Sequence, residues 1–340
     1  MTTLKFWQAV NMALDHELAS DPNVILFGED VGRAGGPFGA SKGLYERHGA
    51  SRVRDTPIAE GAITGLAVGA AMCGLRPIVE IMYFDFITLA MDQLVNQAAK
   101  MRYMSGGELN VPMTMLTFCG AGRGSGPQHS QSLEGWLANV PGLSVVYPSN
   151  PGDAKGLLHA SIRSNDPVVF VSSSRLWTQR GEVNPEAAPV QIGRAAVARE
   201  GRDVTIISWG WAASRSLAAA EILVEVGVDA EVVDLRTISP LDTDAILRSV
   251  AKTGRLAVVH DAAGPYGPGA EICAVVAEHA FGDLVAPVVR LTAPFAPTPF
   301  PTRLEHAYYP TPAHIATVVA TMCGAPAPSV EPSVEEFQHD

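Results

Sequence analysis

Twice along this chain, short runs of branched apolar residues alternate with stretches of helical spacing, and that alternation limits the possible folds more than any other feature. Residues 24–27, 77–82, 113–118, 144–147 and 168–172 read as strands. Between them, residues 61–74, 89–104 and 151–164 carry a helical pattern. A strand that is apolar throughout needs cover on both faces, so the pattern predicts a parallel sheet with helices on each side. The alternation breaks over residues 173–193, where Gly181, Pro185 and Pro189 interrupt it, which predicts a linker. It then resumes. VTIISW from Val204, AEVVDL from Ala230 and LAVVH from Leu256 read as buried strands, with helices over 212–226, 242–251 and 269–281. The expectation is α/β architecture in two doubly wound domains, residues 1–180 and 190–324, with a Pro- and acid-rich tail at 325–340 that should be disordered.

Composition supports two cores and excludes some functions. With 340 residues, 47% of them hydrophobic and only 17% charged, the chain can bury two interiors, and its low charge suggests a surface partly covered by other chains. The net charge of -11 argues against nucleic acid, which demands clustered Lys and Arg. The acidic surface is either simply solvated or docks on a basic partner. Cys73, Cys119, Cys273 and Cys323 lie far apart without a CxxC pair, which disfavours a zinc or disulfide framework and fits a reducing, cytoplasmic setting. The N-terminal stretch carries Asp15 and Glu17 and resembles neither a secretory signal nor a transit peptide. Its Phe6, Val10, Leu14 and Leu18 instead predict an amphipathic opening helix. The most apolar stretch, 62–75, falls short of the ~18 residues a membrane span requires, so no membrane role is expected.

Four segments could carry chemistry. In DTPIAEG, from Asp55 to Gly61, Pro57 bars a helix before it, so Glu60 should sit at a helix N-terminus. An acid there suits the helix dipole even without any catalytic role. Gly61, Gly65 and Gly69 leave one face of that helix nearly bare, which implies close approach by another helix or backbone, of this chain or of a second subunit. EIMYFDF, from Glu80 to Phe86, ends a strand, where ligands bind in open parallel sheets. Met82 and Phe86 could wall a flat ring or serve only as core. The run from Cys119 to Ser132 has glycine at every second position, suggesting a mobile loop, but it fails both GxGxxG and the GK[ST] ending of a phosphate-binding loop. His129 follows it among hydrogen-bonding neighbours that could fix its tautomer, and a lone histidine of this kind is either structural or a general acid/base. No GxSxG elbow accompanies the nearby serines. Gly28-Glu29-Asp30 could bind a polar ligand or a metal, or cap a turn.

Taken together, these blocks resemble a known family. GED at Gly28, SKGL at Ser41, DTPIAE at Asp55, GLRPIVEIM at Gly74 and MDQLVNQAAKMRYMSGG at Met91 are similar to the beta subunits of the decarboxylating component of 2-oxo acid dehydrogenases, the pyruvate, branched-chain and acetoin enzymes. QHSQS at Gln128, PGLSVVYPSNPGDAKGLL at Pro141, VVDLRTISPLD at Val232 and GAEI at Gly269 extend the resemblance over nearly the whole chain. It implies a thiamine-diphosphate-binding (pyrimidine) fold followed by a transketolase C-terminal-like domain. By the same resemblance, Glu60 hydrogen-bonds the cofactor's aminopyrimidine and favours the imino tautomer that activates the thiazolium. Ile58, Met82 and Phe86 line or stack on that ring, and Glu29 is a carboxylate near Glu60. His129 assists acyl transfer to a lipoyl group.

Thiamine enzymes hold the diphosphate through magnesium on a GDG motif, whereas the Gly-Asp pairs here, Gly152-Asp153 and Gly282-Asp283, are followed by Ala154 and Leu284. The resemblance therefore implies an alpha subunit that supplies diphosphate and magnesium sites, an α2β2 heterotetramer, and a lipoyl acyltransferase core as further partner. Pyruvate leads as substrate, with acetoin and branched-chain oxo acids as alternatives. A non-catalytic partner subunit is disfavoured by the presence of both Glu60 and His129, and a NAD-dependent dehydrogenase by the failed glycine spacing. Two departures stand out: SSSRLW at Ser172–Trp177 replaces a stretch usually like EHKLLY, and Cys119 stands where relatives carry a polar residue. Ser164 occupies a turn position that is often acidic where relatives bind potassium, so no such site is assigned.

Overall fold

The computed structural model describes residues 1–329; positions 330–340, most of the expected disordered tail, lie outside the described residues. The first unit contains β1 (Thr2–Lys5), β2 (Val24–Gly28), β3 (Val53–Asp55), β4 (Arg76–Ile81), β5 (Thr114–Cys119), β6 (Ser144–Val146) and β7 (Val168–Ser173). The second contains β8 (Arg180–Val183), β9 (Ala196–Arg199), β10 (Val204–Ser208), β11 (Ala230–Asp234), β12 (Thr237–Ser239), β13 (Leu256–Ala263) and β14 (Val289–Ala293). They assemble into a seven-stranded sheet ordered β12-β6-β7-β5-β4-β2-β3, a five-stranded sheet ordered β14-β13-β10-β11-β9, and the pair β1-β8.

Side-chain alternation explains why the first sheet is doubly wound. Ile78 of β4, Leu116 and Phe118 of β5 and Phe170 of β7 point into one core with the helices Phe6–Ser20 and Pro151–Arg163. Val79, Ile81, Met115, Val169 and Val171 point into the opposite core, shared with Ile63, Ala67 and Ala71 of the helix Glu60–Met72. With both faces buried, β5 and β7 have no exposed position, which is why they read as unbroken apolar runs. The opening helix buries Phe6, Val10, Leu14 and Leu18 as their spacing predicts.

Three elements depart from the sequence-based expectation. The stretch read as a linker contains β8, which pairs antiparallel with β1 at the N-terminus. β12, from the second unit, adds itself antiparallel to β6 at the edge of the first sheet. Both strands are too short for a period-2 pattern to register. The expected helix over 89–104 instead begins as 3-10 turns at Phe84–Ala90, passes through a π-helical stretch at Gln93–Ala98 and closes as an α-helix at Ala99–Met104.

The two sheets share one continuous core. Ile207 of β10 and Trp209 just after it, and Val233 and Val258 on the neighbouring strands, join the same cluster as Val79 and Met115. Trp209 stacks on buried His260 at 5.0 Å between ring centroids and donates from Nε1 to Glu134 Oε1 at 3.2 Å, tying the second unit to the first. No helix among the described residues is long and apolar enough to cross a membrane.

The opening helix is also held by charge. Buried Glu17 lies 2.5 Å from His159 Nδ1 and 2.7 Å from Arg163 Nη2, both on the helix Pro151–Arg163. Burial alone would raise the Glu17 carboxyl, but hydrogen bonds from His159 and Arg163, with their charge, outweigh it and hold its pKa below the ordinary value. A depressed carboxylate stabilises the fold fully above its unfolded pKa, and that stabilisation disappears as pH falls through the lower folded value. Glu17→Ala should therefore lower unfolding stability at neutral pH by about 2–3 kcal/mol in urea titrations and flatten the loss of stability below about pH 4. An unchanged midpoint at pH 7 would show that the buried pair does not stabilise the helix packing.

Candidate active site

The order of the first sheet creates a crevice. From β2 the chain passes to β3 on one side and then returns to β4 on the other, so strand order reverses between β2 and β4. Loops leaving neighbouring strands at such a reversal diverge, and the gap at their carboxyl ends is where open α/β sheets bind ligands. The singled-out residues follow the carboxyl ends of four adjacent parallel strands: Glu29 after β2, Ile58 and Glu60 after β3, Met82 and Phe86 after β4, and His129 after β5.

Glu60 opens the helix Glu60–Met72 and is 7% exposed, so its carboxylate sits inward at the positive helix end. Glu29 is buried beside it, and its Oε1 has no hydrogen-bond partner among the described residues. Desolvation raises the Glu29 pKa, with the charges of Glu60 and Asp30 adding to the effect. A third carboxyl lies beneath them. Glu80, paired with Gly28 across β4 and β2, is fully buried, and both its oxygens lack partners among the described residues. Burial, then the charge of Glu29, pushes its pKa up to about 8, so Glu80 holds a proton at neutral pH. The sequence signal for Glu80 was an acid inside an otherwise apolar strand.

Ile58 stands at the mouth, 79% exposed, and Leu89 is 64% exposed nearby. At Gly61 the bare helix face is approached by this chain's own backbone. A Cβ on Gly61 would lie 3.1 Å from the Leu89 carbonyl oxygen and one on Gly65 3.5 Å from Gln93 Cγ, while Gly69 faces open space.

Met82 and Phe86 are half-buried. The His129 ring meets Tyr83 and Phe86 edge-on, at 4.8 and 5.3 Å between centroids. The glycine loop, which the sequence suggested to be mobile, is pinned from the second unit. Glu305, buried on the helix Thr302–Tyr308, accepts from Gly122 N at 2.8 Å and Gly124 N at 2.5 Å. Gly122, Gly124 and Gly126 have φ of 84, 66 and 76°, a left-handed backbone that explains the alternate glycines. Cys119 is buried, with Sγ 3.3 Å from Ser132 Oγ, and burial pushes its thiol up to about 11, so it underpins the loop as an inert group. Ser172, Ser173 and Ser174 are likewise buried, and Ser174 N donates to the Cys119 carbonyl at 2.9 Å. Cys119 and Ser174, one from each departure, therefore lie under the loop, while Leu176 and Trp177 pack into the core with Phe6.

Two consecutive α/β sheets, with an acidic and aromatic crevice at the reversal point of the first, define a transketolase-like protein. The family described as "Transketolase, pyrimidine binding domain" matches residues 2–179, and "Transketolase, C-terminal domain" matches residues 193–315. In solved structures, a split-gene transketolase in an inactive beta4 tetramer shares the fold, with TM-score 0.77 at 20% identity over 93% of this chain and 97% of that one. Closer in sequence are the beta subunit of acetoin:2,6-dichlorophenolindophenol oxidoreductase from Cupriavidus necator, 46% identical over 91% of this chain and 94% of that one, and the beta subunit of the Bacillus subtilis pyruvate dehydrogenase E1 component, 46% identical over 88% and 93%. The Bacillus subtilis 2-oxoisovalerate dehydrogenase beta subunit is 43% identical over 90% and 94%. The chain belongs to this family of 2-oxo acid and acetoin dehydrogenase beta subunits.

The histidine loop rests directly on Gly120, where a Cβ would lie 1.9 Å from the His129 carbonyl oxygen. Gly120→Ala should force the loop off its seat, lower stability by about 1–3 kcal/mol and speed amide exchange at Gln131. Unchanged exchange there would mean that His129 is not seated on Gly120.

Proposed function

We propose that this chain is the catalytic beta subunit of a thiamine-diphosphate-dependent 2-oxo acid dehydrogenase. It would act with an alpha subunit in an α2β2 assembly, with residues 1–180 forming the pyrimidine-side domain and 190–324 the C-terminal domain. Pyruvate is the leading substrate, and the acyl group passes to the lipoyl group of an acyltransferase core. The observation that carries this reading is the placement of Glu60, a buried carboxyl at a helix N-terminus, beside Glu29 with an orphaned buried oxygen.

Those residues fit an aminopyrimidine. Its ring nitrogen and amino group would take the carboxyl of Glu60 and leave Glu29 close by, while Ile58, Met82 and Phe86 offer apolar contact to the ring faces. Thiamine diphosphate, when bound, supplies the carbon nucleophile and the electron sink for loss of carbon dioxide. Glu60 would hold a proton at the ring nitrogen, and the buried surroundings of Glu29 and Glu80 would keep water from competing for it. The exposed apolar side chains of Ile58 and Leu89 at the mouth suit cover by an alpha subunit, which would hold the diphosphate and magnesium.

His129 serves the second half of the reaction. As the dithiolane S–S bond breaks, one sulfur takes the acyl group and the other needs a proton, which an imidazole can donate near neutral pH. The edge contacts with Tyr83 and Phe86 orient the ring for that donation. Acetoin cleavage is a second reading, favoured by the 46% identity with the Cupriavidus necator acetoin oxidoreductase subunit. A panel of pyruvate, branched-chain 2-oxo acids and acetoin on the reconstituted complex separates the two.

In that complex, Glu60→Ala should reduce decarboxylation by roughly 10²–10⁴-fold, and near-normal turnover would reject its assigned role. His129→Ala should lower lipoyl acylation by at least ~10²-fold while 2,6-dichlorophenolindophenol reduction falls far less. Equal losses in the two assays would remove His129 from acyl transfer.

A further inference from the structure

One buried acid next to His129 has no part in the chemistry just described. Asp85 is 5% exposed and lies in the turn after β4. Its Oδ1 accepts twice from Gln131, from the backbone N at 3.2 Å and from Nε2 at 2.8 Å. Its Oδ2 is buried without a hydrogen-bond partner among the described residues. Desolvation raises the Asp85 pKa, opposed by the bonds from Gln131 and by attraction to His129.

The same short turn carries Tyr83 and Phe86, whose rings bracket the imidazole. The turn thus grips the histidine twice, by ring contacts at residue 129 and by a hydrogen-bonded carboxyl two residues beyond. On the far side of the loop, Glu305 holds Gly122 and Gly124. Glycine-rich backbone loses much entropy on ordering, and these two carboxyls help convert a permissive loop into a fixed support for the imidazole. Burying a carboxyl this deeply is unfavourable unless it serves hydrogen bonds, and its two bonds to another residue both go to Gln131 of the histidine loop.

We infer that Asp85 is a positioning residue for acyl transfer, holding the His129 loop through Gln131 so that the imidazole stays aligned with the leaving sulfur. This inference rests on the assignment of His129 above. Asp85 itself touches neither substrate nor cofactor in this scheme; its effect passes through Gln131 and the backbone between.

The test uses the reconstituted α/β complex with a free lipoyl domain and two assays, lipoyl acylation and dye reduction, on His129→Ala, Asp85→Ala, Asp85→Asn, Gln131→Ala and the double variant Asp85→Ala with Gln131→Ala. Asp85→Ala should lower the kcat of acylation by ~10–100-fold with KM for the oxo acid unchanged, and should lower dye reduction much less. Asp85→Asn retains an oxygen acceptor for Gln131 and should restore most of the lost transfer. Gln131→Ala should lose transfer in the same direction, and combining it with Asp85→Ala should add less than ~2-fold, because the two act through one contact. If Asp85→Ala does not assemble with the alpha subunit, Gln131→Ala alone decides: selective loss of transfer supports the inference, and no loss or equal loss in both assays overturns it. Loss of transfer in His129→Ala without loss in the Asp85 and Gln131 variants sinks the positioning role while leaving the function standing. No selective loss in His129→Ala removes the functional assignment itself.

Discussion

Parallel strands all send their connections out at the same end, and a crevice opens there only where successive connections run in opposite directions. In this chain the connections β2 to β3 and β3 to β4 run that way, opening the gap between β2 and β4, and every residue of the candidate site depends on it. Glu29 leaves one lip and Met82 the other, Glu60 arrives from the outer strand β3, and His129 from β5 on the opposite flank. Exchange the order of two strands and the same loops would be separated by a sheet width.

Packing carboxyls into that crevice creates an electrostatic tension. Glu29 and Glu80 are driven by desolvation toward their protonated forms, and each feels the negative charge of its neighbour. A carboxyl that carries a proton inside the protein can donate as well as accept, which a surface carboxylate at neutral pH cannot. The surrounding structure carries this cost because both faces of the sheet are filled and the second sheet shares the core on one of them. The rigid frame lies in β4, β5 and their helices; the adjustable part is the glycine loop, and carboxyls reaching in from elsewhere help to fix it.

Some of the site was visible in the chain before folding. Glu60 stood out because Pro57 forbids helix before it and a small-residue helix begins at it. Met82 and Phe86 stood out because they end a strand, and His129 because it closes a glycine-rich run. The roles assigned to them came from the family resemblance and not from spacing. Asp85 gave no signal, since its contact with Gln131 spans 46 positions, and Glu305 gave none, since it meets Gly122 across 183. No local pattern records a hydrogen bond of that separation.

The sequence alone determined the α/β alternation, the two sheets and the starts of helices such as Glu60–Met72 and Pro151–Arg163, because hydrophobic period and Pro or Gly breaks act within a few residues. Only the tertiary structure decided which strands are neighbours, that β8 and β12 leave their own segments to pair elsewhere, and that Cys119 is a buried support under the loop. Sheet order, burial of a polar group and the pinning of a loop are set by contacts between distant residues, and their free energies appear only once the chain has closed on itself.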